Sequence, residues 1–359
     1  MPVPKPLEPL VREAADLAVA LDRDRIAVME VCGTHTVAAF RTGLRDLLPP
    51  TVRLISGPGC PVCVTAQGYI DAAIALAARP DIVIATFGDM LRVPGTQSSL
   101  ERERANGADV RVVYSQTQAL DLAKAMPDRQ VVFLGVGFET TTPGTAWAVA
   151  KAAEEGVGNV TVLSAHKVII PAMQALLAGG EVGIDGFLCP GHVSVIIGSD
   201  RYRPLVDAFG APCVVAGFDG YQMLAGMTAI LRALAGRGDK LGNVYTGAVT
   251  PEGNPAALAV TERVFEPADA PWRGMGVIPG SGLRMRDDYA ALDAEKRFEI
   301  DMPDAPEPAG CRCGDVIKGL LDPPACALFA DVCTPATPVG PCMVSREGSC
   351  NAWYRHRPS

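Results

Sequence analysis

The sequence predicts an α/β protein with two parallel-sheet domains, a crevice between them and a small cysteine-rich C-terminal domain. Three observations predict this class. Short apolar runs recur through the first 220 residues without alternation, which is typical of strands that helices cover on both faces. Alanine- and leucine-rich helical stretches separate these runs, as in parallel sheets. The last fifty residues instead hold six of the eleven cysteines and show little periodicity.

Composition limits the class of protein further. A chain of 359 residues is too long for one ordinary core, so two or three domains are expected. It is 48% hydrophobic and 20% charged, which is typical of a folded globular chain. The net charge of −8 argues against nucleic acid as the main partner, because binding phosphates needs a basic surface.

The first predicted element is an amphipathic, charged helix around residues 10–17, which is unlike the apolar core of a signal peptide. No run approaches the ~20 apolar residues of a membrane span, so we expect no membrane association. The expected location is the reducing cytoplasm. There cysteines form reactive or metal-bound sites more often than structural disulfides.

The elements that follow alternate between strand and helix. The predicted strands are residues 26–31, 52–55, 82–85, 110–113, 131–134, 160–163 and 213–216, and the predicted helices are 70–78, 119–126, 146–155, 171–177 and 221–234. Proline-rich, linker-like stretches begin near residue 266. We therefore expect α/β domain I at residues 1–140, α/β domain II at 141–265 and the cysteine-rich domain at 266–359.

A C-x-x-C motif, Cys60 to Cys63, follows the strand 52–55 through a Gly-Pro-Gly turn and precedes a helix. At a helix N-terminus the peptide dipoles and free N–H groups favour a thiolate. The two-residue spacing lets both sulfur atoms bond to each other or hold one metal. The motif predicts a thiol site, and two inert cysteines in a turn are the alternative.

Cys32 has the same setting, because the strand 26–31 ends directly before it and a helix follows. Residues just past the carboxyl ends of parallel strands line one crevice. Cys32 and the Cys60/Cys63 pair converge there if their strands are neighbours, and three thiolates would suit iron, copper(I) or zinc. His35 is a candidate ligand, proton donor or helix-cap residue.

Other polar residues follow predicted strands or lie in glycine-bounded loops. Each alone has a structural explanation, but together they indicate that the carboxyl ends of the strands line a site. They are Asp89, Arg92, Glu139, residues 140–142, His166, His192 and Ser194. A lone Gly-x-Gly at residues 135–137 is a weak nucleotide signal, and the sequence has no phosphate-binding G-x-x-x-x-G-K-[ST] loop.

The C-terminal region contains a second cysteine group with the spacing C-x12-C-x6-C-x16-C: Cys313, Cys326, Cys333 and Cys350. This is neither a ferredoxin spacing nor that of a zinc ribbon. Cysteines in a proline-rich stretch without its own core predict a metal that contributes folding energy. The spacing leaves a [4Fe–4S] cluster and structural zinc open and does not assign Cys311 and Cys342.

Seven sequence blocks together resemble the hydrogenase maturation factor HypD family along nearly the whole chain. Their order and length make the resemblance specific, although no single block would suffice. The blocks are MEVCGTHT (29–36), GPGCPVCV (57–64), TFGDMLRVPG (86–95), GFETT (137–141), PGHVS (190–194), VAGF (215–218) and MVSREGSC (343–350).

The resemblance implies a scaffold that builds the Fe(CN)₂CO unit of [NiFe]-hydrogenases together with HypC, which brings iron, and HypE, which delivers cyanide. It implies that Cys32, Cys60 and Cys63 form the front thiol site. The rear set, Cys313, Cys326, Cys333 and Cys350, then binds a [4Fe–4S] cluster. Family members commonly read C-G-x-H-T-H at the first block. Val37 takes the last position here, so a role for that second histidine cannot apply.

Two other functions explain part of the pattern. A stand-alone thiol–disulfide oxidoreductase would use Cys60/Cys63 and the cluster but leave Cys32 idle. An iron–sulfur interaction module would leave all the front cysteines as packing residues.

Overall fold

Two parallel β-sheets covered by helices form the body of the protein, which confirms the α/β class predicted from the sequence. The computed structural model describes residues 5–303 and 305–356. Across these residues no helix combines the length and apolar character that crossing a membrane requires. The cysteine-rich C-terminal region packs against the first sheet and its helices.

The strands form two parallel sheets and one antiparallel hairpin. They are β1 (Ile26–Glu30), β2 (Val52–Ser56), β3 (Ile82–Thr86), β4 (Val110–Val112), β5 (Gln130–Gly137), β6 (Val160–His166), β7 (Gly186–Pro190), β8 (Cys213–Ala216), β9 (Leu241–Asn243), β10 (Phe265–Trp272) and β11 (Gly276–Met285). The first sheet has the order β2-β1-β7-β8-β9 and the second has the order β4-β3-β5-β6. The hairpin is β10-β11.

The helices lie between the strands and in the C-terminal region. They are α1 (Glu8–Leu21), α2 (Gly33–Arg41), α3 (Leu44–Leu47), α4 (Pro61–Val64), α5 (Gln67–Ala77), α6 (Leu100–Ala105), α7 (Gln116–Ala125), α8 (Thr142–Glu155), α9 (Ile169–Gly179), α10 (Gly191–Ile197), α11 (Arg203–Phe209), α12 (Gly220–Leu234), α13 (Pro255–Val264), α14 (Ala294–Arg297), α15 (Cys313–Lys318), α16 (Pro341–Val344) and α17 (Ser349–His356). Short 3₁₀ segments lie at Gly88–Arg92, Ser199–Tyr202, Asp287–Leu292 and Pro323–Ala325.

The two sheets interleave along the chain. The first sheet takes β1 and β2 from the start and β7 to β9 from after residue 185, while the second takes the strands between them. The boundary predicted at residue 140 therefore differs from sheet membership, because it falls between two strands of the second sheet, whereas residue 265 is where the hairpin begins. The difference arises because β7, a short strand that we did not predict, returns the chain to the side of β1.

Each sheet has a switch point. The chain runs from one strand to its neighbour on one side, and a later strand pairs on the other side of that first strand. In the first sheet β1 lies between β2 and β7, and in the second β3 lies between β4 and β5. Crevices at such switch points, outside the carboxyl ends, are where open α/β sheets bind ligands. Cys32 follows β1 and His192 follows β7, whereas Asp89 follows β3 and Glu139 follows β5.

Three apolar cores hold these layers together. The central core joins the sheets and includes Met29 and Ile55 of the first and Ile84 and Leu134 of the second. The other two cores pack α1, α2 and α12 on the first sheet, and α7, α8 and the hairpin on the second. Each fully buried side chain of this size contributes about 1.5–3 kcal/mol. The central core therefore fixes the position of one switch point relative to the other.

Candidate functional site

Cys32 lies at the carboxyl end of β1 and caps the N-terminus of α2. It is 8% exposed, and its backbone N–H donates to Oε2 of Glu30 at 3.0 Å. Glu30 is itself buried and accepts from the hydroxyl of Thr36. Burial raises the pKa of Glu30 to about 7 despite these hydrogen bonds. The carboxyl group thus fixes the backbone of the Cys32 turn.

The Cys60/Cys63 pair lies beside Cys32 because β1 and β2 are parallel neighbours, as the prediction required. Cys60 caps α4 and its sulfur accepts from the backbone N–H of Cys63 at 3.3 Å. The two residues form a disulfide, with their Cα atoms 5.3 Å apart, inside the usual range. The spacing correctly predicted a pair that can bond to each other.

Two glycines allow close backbone contacts around Cys32, one with the segment before Cys60 and one with the C-terminal loop. A Cβ on Gly59 would collide with the backbone nitrogen of Cys32, and a Cβ on Gly33 would collide with the carbonyl oxygen of Glu347. The hydroxyl of Thr34 also donates to Oε1 of Glu347 at 2.7 Å. The C-terminal loop that carries Glu347 therefore covers the Cys32 turn.

Burial controls the protonation of Cys32. Desolvation raises the pKa of its thiol to about 12, and the negative charges of Glu347 and Glu30 add to this effect. The side chain is therefore a neutral thiol at physiological pH. A bound soft metal ion would displace that proton, because metal binding and thiol deprotonation are coupled.

His35 is fully buried and faces the first sheet. Its Nε2 lies 2.9 Å from the carbonyl oxygen of Gly217 and 3.2 Å from that of Ala216. Carbonyl groups only accept, so Nε2 carries the proton and Nδ1, which has no partner in the described chain, does not. Burial lowers the pKa of His35 to about 4. These contacts favour an orienting role over proton donation.

The remaining switch-point residues have separate contacts. The ring of His192 lies 4.0 Å from that of Phe218, which lies 4.9 Å from the ring of His35. Asp89 accepts from the hydroxyl of Ser345 at 2.8 Å. His192 therefore extends the aromatic contacts of His35 outward, and Asp89 links the second sheet to the C-terminal region.

Glu139 and His166 lie inside the protein rather than facing Cys32. Glu139 accepts from the backbone N–H of Ile169 at 2.9 Å, at the start of α9, and burial raises its pKa to about 7. His166 contacts the hydroxyl of Thr145 at 3.0 Å, and burial lowers its pKa to about 4. Both side chains are therefore part of the packing between the second sheet and its helices.

A rear pocket of about 340 Å³, including its open mouth, collects the C-terminal cysteines. Its apolar walls include Val316, Leu328 and Phe329. The cysteines that line it are Cys311, Cys313, Cys326, Cys333, Cys342 and Cys350. The four rear cysteines named from their spacing therefore line one pocket, together with the two that spacing did not assign.

Two of these cysteines form a close pair. The sulfur of Cys313 lies 2.7 Å from that of Cys342, closer than two unbonded sulfur atoms normally approach. Contacts with the side chains of Cys311 and Cys342 lower the pKa of Cys313 well below its usual value, and the charge of Arg273 acts in the same direction.

The donor set of the rear pocket fits an iron–sulfur cluster. Among the described residues, no three cysteine, histidine or carboxylate side chains converge as they would around a single metal ion. A [4Fe–4S] cluster takes one thiolate on each iron, so its ligands surround a volume instead of meeting at a point. Only thiols and apolar groups surround this pocket apart from the exposed Arg312.

The front and rear thiols adjoin each other. One small space is lined by Cys60 and Cys63 on one side and by Cys342 and Glu347 on the other. A Cβ on Gly348 would collide with the carbonyl oxygen of Cys342, so this loop also packs backbone to backbone. Cys342 therefore lines both the rear pocket and the space beside the front disulfide.

Sequence reasoning missed Glu30, Glu347 and Arg273. The first two lie inside sequence blocks that carry the family resemblance, beside Cys32 and Cys350. Their position in those blocks was the available signal. Arg273 lies outside every block, and nothing in the sequence marks it.

Fold and site define a two-sheet α/β protein with a buried thiol centre at a switch point and an adjoining pocket of cysteines. Residues 8–357 match the family model HypD, described as the hydrogenase formation hypA family. The chain belongs to the HypD family.

Relatives of similar length support this assignment. The chain is 45% identical to the hydrogenase maturation factor HypD of Azotobacter vinelandii over 351 residues, which cover 96% of this chain and 93% of the relative. It is 43% identical to the factor of the same name from Escherichia coli over 352 residues, or 98% and 94% of the two chains. The resemblance inferred from the sequence blocks is confirmed.

Proposed function

We propose that this hydrogenase maturation factor is a scaffold on which an Fe(CN)₂CO unit is assembled, in a complex with a HypC-type iron carrier and a HypE-type cyanide donor. The observation that carries the proposal is the placement of Cys32. It lies buried at the switch point of the first sheet, and its backbone packs against Gly59, directly before Cys60 of the disulfide.

The iron that receives cyanide is the substrate, and Cys32 is its proposed ligand on this chain. Cyanide and CO are strong-field ligands that suit a soft, low-spin iron, for which thiolate is a natural protein ligand. The buried turn around Cys32 would limit the escape of cyanide into water. His35, neutral and held by two carbonyl groups, would orient α2 behind the thiol.

We propose a rear ligand set that differs from the one inferred from the sequence by one residue. Two sulfur atoms 2.7 Å apart cannot each bind a separate iron of one cluster without moving apart, which sets Cys313 and Cys342 aside. Cys311 then replaces Cys313. The proposed ligands of a [4Fe–4S] cluster are Cys311, Cys326, Cys333 and Cys350.

A cluster at this site would store and deliver electrons one at a time. The chain's own thiols can exchange two electrons without an outside oxidant. The Cys313/Cys342 dithiol would attack the Cys60–Cys63 disulfide through a mixed disulfide, and a Cys313–Cys342 disulfide and the Cys60/Cys63 dithiol would result. Cys342 is placed for this exchange because it lines the space beside Cys60 and Cys63.

Infrared spectroscopy of the complex with the HypC-type partner tests the function. Wild-type complexes should show bands of iron-bound cyanide and CO. Cys32→Ala should lose them, while keeping the fold and the rear iron. Full bands in Cys32→Ala would place the iron elsewhere, with the Cys60/Cys63 pair as the remaining candidate.

A stand-alone thiol–disulfide oxidoreductase is the second candidate, which the adjoining Cys60–Cys63 disulfide and Cys342 favour. Disulfide turnover without cyanide or CO bands in the wild-type complex would support it over the scaffold. If the wild-type complex showed neither these infrared bands nor disulfide turnover, the result would support an iron–sulfur interaction module.

A further inference from the structure

A large groove of about 1960 Å³, including its open mouth, lies beside the β10–β11 hairpin. The hairpin forms one wall, and the other walls are residues 65–69, residues 164–167 at the end of β6, and residues 300–303 and 305–307. Its described lining includes no cysteine, so the groove is separate from both thiol sites.

Two buried cations line this groove. Lys167 and Arg273 are each 3% exposed. The Nζ of Lys167 donates to the carbonyl oxygen of Pro271 at 2.9 Å. Arg273 donates from Nε to the carbonyl oxygen of Thr65 and from Nη2 to Oε1 of Gln67, both at 3.1 Å. These acceptors are all neutral, and both cations lie against the end of β10.

The two cations lack a partner of opposite charge. The Nη1 of Arg273 is buried and has no hydrogen-bond partner among residues 5–303 and 305–356. Buried N–H groups almost always have an acceptor, and a buried charge is costly unless it is paired. Burial lowers the pKa of Lys167 to about 8, as expected for an ammonium group without a counter-charge. The unused donor indicates that an anion belongs beside the pair.

Glu307 is the carboxylate nearest in effect to Arg273, and it does not take this place. It is half-buried in the same groove. Burial raises the pKa of Glu307 above its ordinary value, and the charge of Arg273 offsets this only in part, whereas a close ion pair would lower the pKa. Both carboxylate oxygens lie 3.6 Å from where a Cβ on Gly314 would stand. Glu307 is therefore a competitor of an anionic ligand and leaves Nη1 unpaired.

Other carboxylates in the groove limit what can bind. Their negative charges repel a long polyanion such as nucleic acid, so the ligand has to present one compact anionic group to the two cations. These carboxylates are Asp269, Asp293, Glu295 and Asp301.

We propose that Lys167 and Arg273 bind a phosphoryl group, either as free phosphate or as the ester of a small molecule. A phosphoryl group carries close to two negative charges near neutral pH, which matches two monovalent cations. Nε and Nη2 of Arg273 already have acceptors, so this edge of the guanidinium is not free for the paired, planar contact that a carboxylate makes. The ring of Trp272, 5.4 Å from the Nζ of Lys167, forms an apolar wall beside the pair.

Calorimetric titration of the full chain with inorganic phosphate, at pH 7 and constant ionic strength, tests the site. Wild type should bind phosphate with a dissociation constant below about 1 mM. Lys167→Met and Arg273→Met should each weaken binding at least tenfold, because each removes one buried charge and keeps a long side chain. Acetate, with a single charge, should bind at least tenfold more weakly than phosphate.

Two further variants separate the proposed contacts from general electrostatics. Arg284→Met removes a groove cation that is exposed and already paired with Glu266, so its affinity should stay within twofold of wild type. Glu307→Gln removes the competing carboxylate and should bind phosphate at least twofold more tightly. A parallel titration with glycerol phosphate distinguishes the two sources, because tighter binding than inorganic phosphate identifies an ester and weaker binding identifies free phosphate.

The proposal is overturned if wild type shows no phosphate binding below 1 mM, if the two Met variants bind as tightly as wild type, or if acetate binds as well as phosphate. Should both Met variants fail to fold, Glu307→Gln still decides, because an unchanged affinity would mean that Arg273 does not hold the ligand. The titration uses the chain alone, so its outcome is separate from the cyanide and CO bands that test the maturation function.

Discussion

At the scale of single residues, burial decides which groups of this protein are charged. Cys32 is held as a thiol and His35 as a neutral ring, with pKa values moved to about 12 and about 4. Both side chains are therefore uncharged at physiological pH, which is compatible with the proposed role of Cys32, since a thiol that binds a metal ion releases its proton on binding. Such protonation states follow from packing and cannot be obtained from sequence spacing.

Glu139 should make stability depend on pH. Its folded-state pKa of about 7 lies above the ordinary value of 4.5, so the folded protein keeps a proton that the unfolded chain loses. Stability therefore falls as pH rises between about 4.5 and 7. Glu139→Gln cannot titrate and retains an oxygen for Ile169. From pH 5 to pH 6.5 the variant should gain about 2 kcal/mol relative to wild type, measured by urea unfolding.

The matched control for Glu139 is Glu101→Gln, since Glu101 is an exposed carboxylate on α6. The difference in free energy of unfolding between Glu101→Gln and wild type should not change across the same pH range. A flat difference for Glu139→Gln as well would show that the buried carboxyl group does not titrate as proposed.

At the scale of elements, the sequence predicted what local composition determines. The strands β1, β3 and β5 are short, mostly apolar runs that contain β-branched residues, so their position and buried character were predicted correctly. Because β1 and β2 are neighbours, the convergence of Cys32 with Cys60 and Cys63 also followed. These parts of the fold can be predicted from local composition and from the rule that residues just past the carboxyl ends of adjacent parallel strands lie close together.

Other elements depend on long-range pairing, and the sequence did not predict them. The strand β7 has only five residues with glycine and proline at its ends, and its pairing with β1 and β8 defines it. Pro267 and Pro271 lie in β10, a stretch interpreted as a linker, because a two-stranded hairpin tolerates proline. The contact of Cys313 with Cys342 likewise joins segments whose spacing gives no sign of it.

The C-terminal elements provide a test of the proposed ligand set. A [4Fe–4S] cluster should give about four irons per chain. Cys311→Ala should lose most of this iron, because the substitution removes one ligand. Cys313→Ala should keep them, since Cys313 pairs with Cys342 instead. Iron and sulfide analysis after anaerobic reconstitution measures both variants.

Cys326→Ala serves as the positive control for loss, because Cys326 belongs to both the sequence-based and the structure-based ligand sets. Retention of iron in Cys311→Ala together with its loss in Cys313→Ala would restore the set inferred from the sequence. One zinc per chain without iron uptake would exclude a cluster altogether.

At the scale of the whole molecule, the C-terminal region connects the two sheets. Ser345 donates to Asp89 beyond β3, and Thr34 beyond β1 donates to Glu347, so one loop contacts both switch points. The same loop lies between Cys342 and Cys350 in the chain. A change at the rear pocket can therefore reach the Cys32 turn through packed backbone, without a mobile domain.

This arrangement predicts that the rear thiols control the redox state of the front pair. Reductant added to the reconstituted chain should open the Cys60–Cys63 disulfide by exchange with the Cys313/Cys342 dithiol. Cys342→Ala should slow that opening at least tenfold, because Cys342 is the rear thiol that lines the front space. Cys189→Ala, which changes a buried cysteine of β7, should open at the wild-type rate. Differential alkylation with mass spectrometry of the Cys60 peptide follows the reaction, and equal rates in all three proteins would mean that the front disulfide is reduced directly from solution.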